Sequence, residues 1–246
     1  MPPSPTILLI RPEPAARRFG AALRAAGCTA PQVIAPIIDI RPVARALAAA
    51  SLKPSEACGL ILTSANAVAA FAAQSPLRPP AWCVGRSTAR AAQAERFAVQ
   101  AAATDADDLF RVMVAAGATG PFLHPRGRHA RGALAERLTA AGLPATEVVI
   151  YEQIARALPA RAKALLQGSA PVIVPLFSPR SARLLAESGT AAVAPLHLVA
   201  ISGVAARAWT EVRGTGPVAT LRVARRPDAD AMIEATLAAT ADIADA

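Results

Sequence analysis

The chain has 246 residues, 54% of them hydrophobic, with 26 Lys+Arg against 17 Asp+Glu and a formal net charge of +9. That length allows one large or two modest domains, each able to bury its own core. Aromatic residues make up only 4% and no basic run exceeds two or three residues, which argues against a nucleic-acid module despite the charge.

From the amino end, Thr6 to Ile10 is a predicted strand, and Glu13 to Ala26 a helix with Ala15, Phe19, Ala22, Leu23 and Ala26 on one face, ended by Gly27. The apolar run Ile7 to Ile10 is too short for a signal peptide, and no basic segment precedes it. Pro36 to Pro42 is β-rich and leads into a new unit. The uncharged stretch Ala57 to Leu77 is long enough to suggest a membrane span. It contains Thr63, Ser64, Asn66, Gln74, Ser75 and Pro76, and divides into strand Gly59 to Thr63 and helix Asn66 to Ala73. Trp82 to Val84 precedes helix Ser87 to Arg96. Phe97 to Ala101 precedes helix Ala106 to Ala116, and Pro121 to His124 precedes helix Arg131 to Ala141. A second β-rich stretch, Thr146 to Glu152, breaks the alternation. Val172 to Leu176 then leads to helix Ser181 to Glu187, Leu196 to Ile201 to helix Val204 to Glu211, and Val218 to Val223 to helix Asp228 to Ala239. Short apolar strands joined to helices of about ten residues predict parallel sheets covered on both faces.

Four segments occur twice in the same order. Leu8-Leu9-Ile10-Arg11 recurs at Leu123-His124-Pro125-Arg126, and Leu62-Thr63-Ser64-Ala65-Asn66 at Leu176-Phe177-Ser178-Pro179-Arg180. Val84-Gly85 recurs at Ile201-Ser202, and Asp105-Ala106-Asp107 at Asp228-Ala229-Asp230. Alanine identities carry little weight, but the constant order points to a duplicated unit and two similar lobes. Two consecutive halves and a circularly permuted arrangement fit the repeats equally well.

Cys28, Cys58 and Cys83 lie far apart, which fits a reducing cytoplasm, with Cys58 and Cys83 read as small buried apolar residues. His124, His129 and His197 have no ligand spacing, and no dinucleotide, Walker A or hydrolase-elbow motif is present. All but Lys53 and Lys163 of the cations are arginine, the side chain suited to bidentate recognition of carboxylate or phosphate. In an open parallel sheet, ligands bind beyond the carboxyl ends of the strands. Arg11, Ser64, Gly85, Arg126, Ser178 and Ser202 each follow a predicted strand. Thr63, Ser64, Asn66, Ser87, Thr88, Ser178 and Ser181 open helices. The plain reading of these hydroxyls is N-capping, at an end that also presents free N–H groups and a positive dipole to an anion. Tyr151 is the only tyrosine and stands in a β-rich connector.

These residues together resemble the uroporphyrinogen-III synthase family over nearly the whole chain. The resemblance is carried by Arg11-Pro12, by Leu62 to Val68 with Phe71, and by Val84 to Ala89. Arg126-Gly127 with Leu134, Leu138 and Gly142, Val149 to Glu152, and Phe177 to Ser181 complete it. It implies two α/β lobes, each a parallel sheet flanked by helices, joined by a two-stranded antiparallel β ladder. Residues 1–35 plus 155–246 would form one lobe, 44–145 the other, and 36–43 and 146–154 the ladder. The implied reaction closes hydroxymethylbilane, a linear tetrapyrrole with eight carboxylates, to uroporphyrinogen III with inversion of ring D and loss of water. No cofactor or metal is implied, the protein is expected to be a cytoplasmic monomer, and no nucleic acid or membrane takes part. Tyr151 matches the family's tyrosine and is the candidate catalytic donor. Arg11, Thr63, Ser64, Asn66, Gly85, Thr88, Arg126, Ser178, Ser181 and Ser202 are the candidate substrate-binding residues. The sequence departs from the family pattern in three places. Ser202-Gly203-Val204-Ala205 has no threonine, Gln153 ends the common Tyr-x-Thr, and Asn66 replaces an arginine of some relatives. Two rivals share parts of this pattern: a non-catalytic two-lobed binding protein for a small polyanion, and a basic α/β nucleic-acid module.

Overall fold

A computed structural model describes residues 4–129, 132–188, 192–214 and 218–244. In chain order the elements begin with β1 (Thr6–Leu9), α1 (Glu13–Ala25), β2 (Gln32–Ile34), β3 (Ile38–Pro42) and α2 (Ala46–Ala49). Next come β4 (Gly59–Leu62), α3 (Ala65–Gln74), β5 (Ala81–Val84), α4 (Arg86–Ala94), β6 (Val99–Ala103) and α5 (Ala106–Ala115). They continue with β7 (Phe122–Gly127), α6 (Leu134–Ala140), β8 (Ala145–Ala155), α7 (Ala160–Gln167), β9 (Val172–Leu176) and α8 (Pro179–Glu187). The last are β10 (Leu196–Ala200), α9 (Gly203–Arg213), β11 (Val218–Val223) and α10 (Ala229–Ala244). The predicted helix start at Arg131 lies outside the described residues. No helix among the described residues is long and apolar enough to cross a membrane.

The chain divides into two compact units, Met1–Asp39 with Ala155–Ala246, and Ile40–Ile154. The first holds a five-stranded sheet in the order β11-β10-β9-β1-β2, and the second sheet runs β3-β8-β7-β4-β5-β6. From β11 to β2 and from β6 to β8 the two orders correspond strand for strand, so the sequence repeats reflect a shared topology entered at different points. The pairings among these strands are parallel. β3 runs antiparallel to the end of β8: Val43 N–H donates to Ile150 O and Arg156 N–H to Ile37 O, so one strand rises as the other falls. That register sets β3 opposite the last residues of β8, Tyr151 to Ala155, as the expected two-stranded antiparallel ladder. The first part of the eleven-residue β8 is also the parallel partner of β7, from Ala145 to Tyr151.

Central strands are apolar on both faces because helices cover both. β4 and β9 are buried throughout. In the second unit Leu60, Leu62 and Leu123 face α3 and α4 through Val68, Phe71 and Ala92. Ile61 and Phe122 face the opposite way, toward Leu109, Met113, Leu134 and Leu138 of α5 and α6. In the first unit Ile7, Leu9, Ile173 and Val199 pack with Phe19 and Leu23 of α1 and Met232 of α10.

Two corresponding helices end alike. Gly27 (φ +89°) and Gly142 (φ +81°) take the left-handed conformation just past α1 and α6. The following amides, of Cys28 and Leu143, reach back to Leu23 O and Leu138 O, both at 2.9 Å. The buried face of α1 differs from the expected one. It comprises Ala16, Phe19, Gly20 and Leu23, and Ala26 is exposed. Cys28 and Cys83 are buried. Cys58, expected inside, is exposed in the turn before β4, with Sγ 3.3 Å from Gly120 O.

Candidate functional site

In the first unit, the adjacent parallel strands β10, β9 and β1 bring Ser202, Ser178 and Arg11 to one carboxyl edge. Ser178 caps α8: its Oγ accepts from the Ser181 amide at 3.1 Å and lies 2.9 Å from Ser181 Oγ. Ser181 is buried, and its hydroxyl donates to Ser178 O at 3.0 Å. Ser202 caps α9 by accepting from the Ala205 amide at 3.3 Å. Ser178→Ala should lower stability by about 1 kcal/mol, the usual cost of a lost N-cap. Chemical denaturation measures this, and Ser178→Asp should recover most of the loss.

Arg11 behaves differently from the surface arginines. Its guanidinium sits 3.8 Å from the centroid of the Phe177 ring, which Phe19 meets edge-on at 4.8 Å. Among the described residues no carboxylate pairs with it. Burial, with repulsion from Arg18 as the lesser cause, pulls its pKa down to about 10. It remains a cation at neutral pH, half-buried and held on an aromatic face, so an arriving carboxylate gains more here than at a fully hydrated arginine.

In the second unit, β7, β4 and β5 are likewise adjacent and parallel. Ser64, after β4, caps α3 by accepting from the Asn66 amide at 3.1 Å. Thr63 and Asn66 flank it, both half-buried. Gly85 (φ +81°) takes the capping position of α4 without a side chain, and Thr88, one turn in, is only 3% exposed. Asp105 and Asp228, the fourth repeated pair, each accept an amide hydrogen bond at 2.8 Å at the start of α5 and α10.

Arg126 does not follow its strand as expected, because β7 continues through Gly127 with β8 beside it. Its Nε donates to Glu147 Oε2 at 2.5 Å, so its charge is already partnered. On the far side of Glu147, His124 Nδ1 lies 3.5 Å from Oε1, within ion-pair reach but without hydrogen-bond alignment. His124 Nε2 is 3.4 Å from Thr63 Oγ1. The Glu147 carboxyl is held below its ordinary value by His124 first and Arg126 second, against an opposing effect of burial. His124 and Glu147 are additions to the expected site residues. His124 lacks metal-ligand spacing, and its link to Glu147 follows only from the β7–β8 register.

Tyr151 lies opposite Gly127, where the β7–β8 register shifts, and is 5% exposed within the core of its unit. A Cβ on Gly127 would come within 2.6 Å of Tyr151 Cζ, so this glycine makes room for the ring. Among the described residues no group hydrogen-bonds the Tyr151 hydroxyl. No group of three His, Cys, Asp or Glu among the described residues could hold a metal ion.

A family model described as uroporphyrinogen-III synthase HemD matches residues 17–234, a span containing every candidate site residue except Arg11. Among solved structures, uroporphyrinogen-III synthetase from Helicobacter pylori is similar with a TM-score of 0.62 at 17% identity, covering 96% of this chain and 99% of that one. A mutant uroporphyrinogen III synthase from Thermus thermophilus gives 0.52 at 13% identity, covering 98% and 99%. At such identities the likeness is one of fold. No curated protein gives a significant match. The family match spans most of the sequence and the solved structures share its two-lobed α/β fold: this chain belongs to the uroporphyrinogen-III synthase family of cyclising lyases.

Proposed function

We propose that the chain takes hydroxymethylbilane and closes it to uroporphyrinogen III, as a cytoplasmic monomer acting without cofactor, metal or nucleic acid. The observation that carries this reading is Arg11, a half-buried cation on an aromatic ring with no carboxylate partner among the described residues, at a strand edge flanked by capped helix N-termini. Such an edge suits a substrate with eight carboxylates. Nothing favours the non-catalytic binding protein.

The chemistry asks for geometry more than for reactive groups. The C–O bond of the hydroxymethyl group breaks, and the oxygen leaves as water with a proton donated to it. The electron pair of a pyrrole nitrogen stabilises the resulting azafulvene cation. Attack by the substituted carbon of ring D forms a spirocyclic intermediate. The original bond from that carbon to the methylene of ring C then breaks, the methylene rebonds to the free carbon of ring D, and the proton on that carbon is lost, which inverts the ring. No step is a net oxidation or reduction. Left unguided, the same cation closes at the free carbon and gives the type I isomer, so the protein must hold the chain in the productive orientation. Arg11 and the helix ends bearing Ser64, Gly85, Ser178 and Ser202 hold carboxylates. Thr63, Asn66, Thr88, Arg126 and Ser181 complete the binding set, Arg126 and Ser181 through the groups they fix. Tyr151 assists departure of the hydroxyl. Fresh hydroxymethylbilane, supplied to the purified chain without additives, should yield the type III isomer on chromatographic separation. Type I alone, at the uncatalysed rate, would sink the assignment.

A further inference from the structure

The polar chain through His124 has a defined direction. His124 belongs to β7 and, two residues after Phe122, points to the same sheet face, the one that α5 and α6 cover at Phe122; it is 4% exposed. Among the described residues the buried imidazole meets Thr63 Oγ1 at Nε2, 3.4 Å away, and the Glu147 carboxylate 3.5 Å from Nδ1, the latter a contact of charge and not an aligned hydrogen bond. Glu147 also accepts from Arg126, and both neighbours hold it in its ionised form. An ionised carboxylate only accepts. Nδ1 lies 3.5 Å from a negative oxygen, and that charge favours an N–H at Nδ1 over a bare lone pair, so the proton belongs on Nδ1. In the neutral ring Nε2 is then the acceptor, and the Thr63 hydroxyl must donate to it. Thr63 is half-exposed at the carboxyl end of β4, next to the capping Ser64. With its proton turned inward, its oxygen offers only lone pairs to whatever meets this edge.

We propose that Glu147, His124 and Thr63 form a positioning relay that fixes Thr63 as a hydrogen-bond acceptor for a pyrrole N–H of the substrate. This rests on the reading of the substrate as a tetrapyrrole. The carboxylates of that substrate are acceptors and would be met by donors such as Arg11. Its N–H groups are donors, and an acceptor of fixed direction orients a pyrrole ring. Glu147 and His124 act through Thr63 and are positioning residues.

Two measurements test the relay. Nitrogen NMR of the full chain with ring-labelled histidine, near neutral pH and without substrate, reads which ring nitrogen carries a proton. The His124 signals are those absent from His124→Gln, which separates them from His129 and His197. A protonated Nδ1 with a bare Nε2 is expected. A proton on Nε2, in a neutral or doubly protonated ring, overturns the relay. The second measurement uses enzyme in excess over hydroxymethylbilane. Thr63→Val and His124→Leu should each slow closure about ten-fold, the loss of one orienting hydrogen bond, and raise the type I share of the product. His124→Gln keeps an amide oxygen toward Thr63 and should restore most of the rate. Unchanged rate and isomer ratio in a folded Thr63→Val overturn the proposal. If the wild-type chain itself closes no bilane, the functional reading fails instead, and the ring protonation still decides the direction of the relay.

Discussion

Replacing Tyr151 by phenylalanine is expected to slow formation of the type III product about 100- to 10,000-fold, the range over which a positioned proton donor contributes, while leaving the fold intact. Stability should hold because phenylalanine keeps the ring that packs in the core beside Val148 and Ile150. No hydrogen bond between the hydroxyl and a described residue is lost with it. The variant therefore removes one oxygen and little else. Its unfolding midpoint should match the wild type, and its single-turnover rate should carry the whole effect. A rate equal to wild type would take Tyr151 out of the mechanism and leave cleavage of the C–O bond to the substrate's own pyrrole nitrogen. Because the substrate can ionise unaided, a residual rate is expected, and its product should still be mainly type III if orientation and proton donation are separate tasks.

The sheet architecture is legible in the sequence because strands buried on both faces write themselves as short apolar runs. Leu60-Ile61-Leu62 and Val172 to Leu176 need no partner information to be recognised. Ser64, Ser178 and Ser202 are legible as caps because a hydroxyl between a strand and a helix has few other local uses. β2 is not legible: three residues, Gln32 to Ile34, are too few to show a period, and the strand exists because β1 offers it a parallel edge. α7 is absent from the predicted elements, although Leu158, Ala162 and Leu166 recur every four residues around Pro159 and are buried. The expected face of α1 is displaced because Ala15 and Ala16 are adjacent and equally apolar, so the pattern alone does not fix the edge of the buried stripe. Packing against β1 then selects Ala16 over Ala15. Arg126 reads locally as an unpartnered cation because Glu147, 21 residues away, becomes its neighbour only once β7 and β8 pair. Long-range register is the physical information that a local pattern lacks, and the contacts joining Thr63, His124, Glu147 and Arg126 are all of that kind.

The register shift beside Gly127 supplies the second large effect. A methyl group there would meet Tyr151 Cζ at 2.6 Å, Cε2 at 2.7 Å and Oη at 2.9 Å, distances that atoms do not sustain. Gly127 has no left-handed φ, so an alanine is conformationally acceptable to the backbone and the whole conflict falls on the ring. The ring is packed in the core of the unit and can yield only by shifting its hydroxyl. A displacement of about 1 Å at a catalytic group costs about 100-fold in rate, and overpacking a core costs about 1–3 kcal/mol, so Gly127→Ala should lose about that much activity and that much stability while still folding. The double variant Gly127→Ala with Tyr151→Phe separates this from a general loosening of the strand. If the glycine acts by placing the hydroxyl, adding it to Tyr151→Phe should cost little further rate, because there is no hydroxyl left to misplace. If the two losses multiply instead, Gly127 matters for another reason, and the pairing of β7 with β8 becomes the feature to probe.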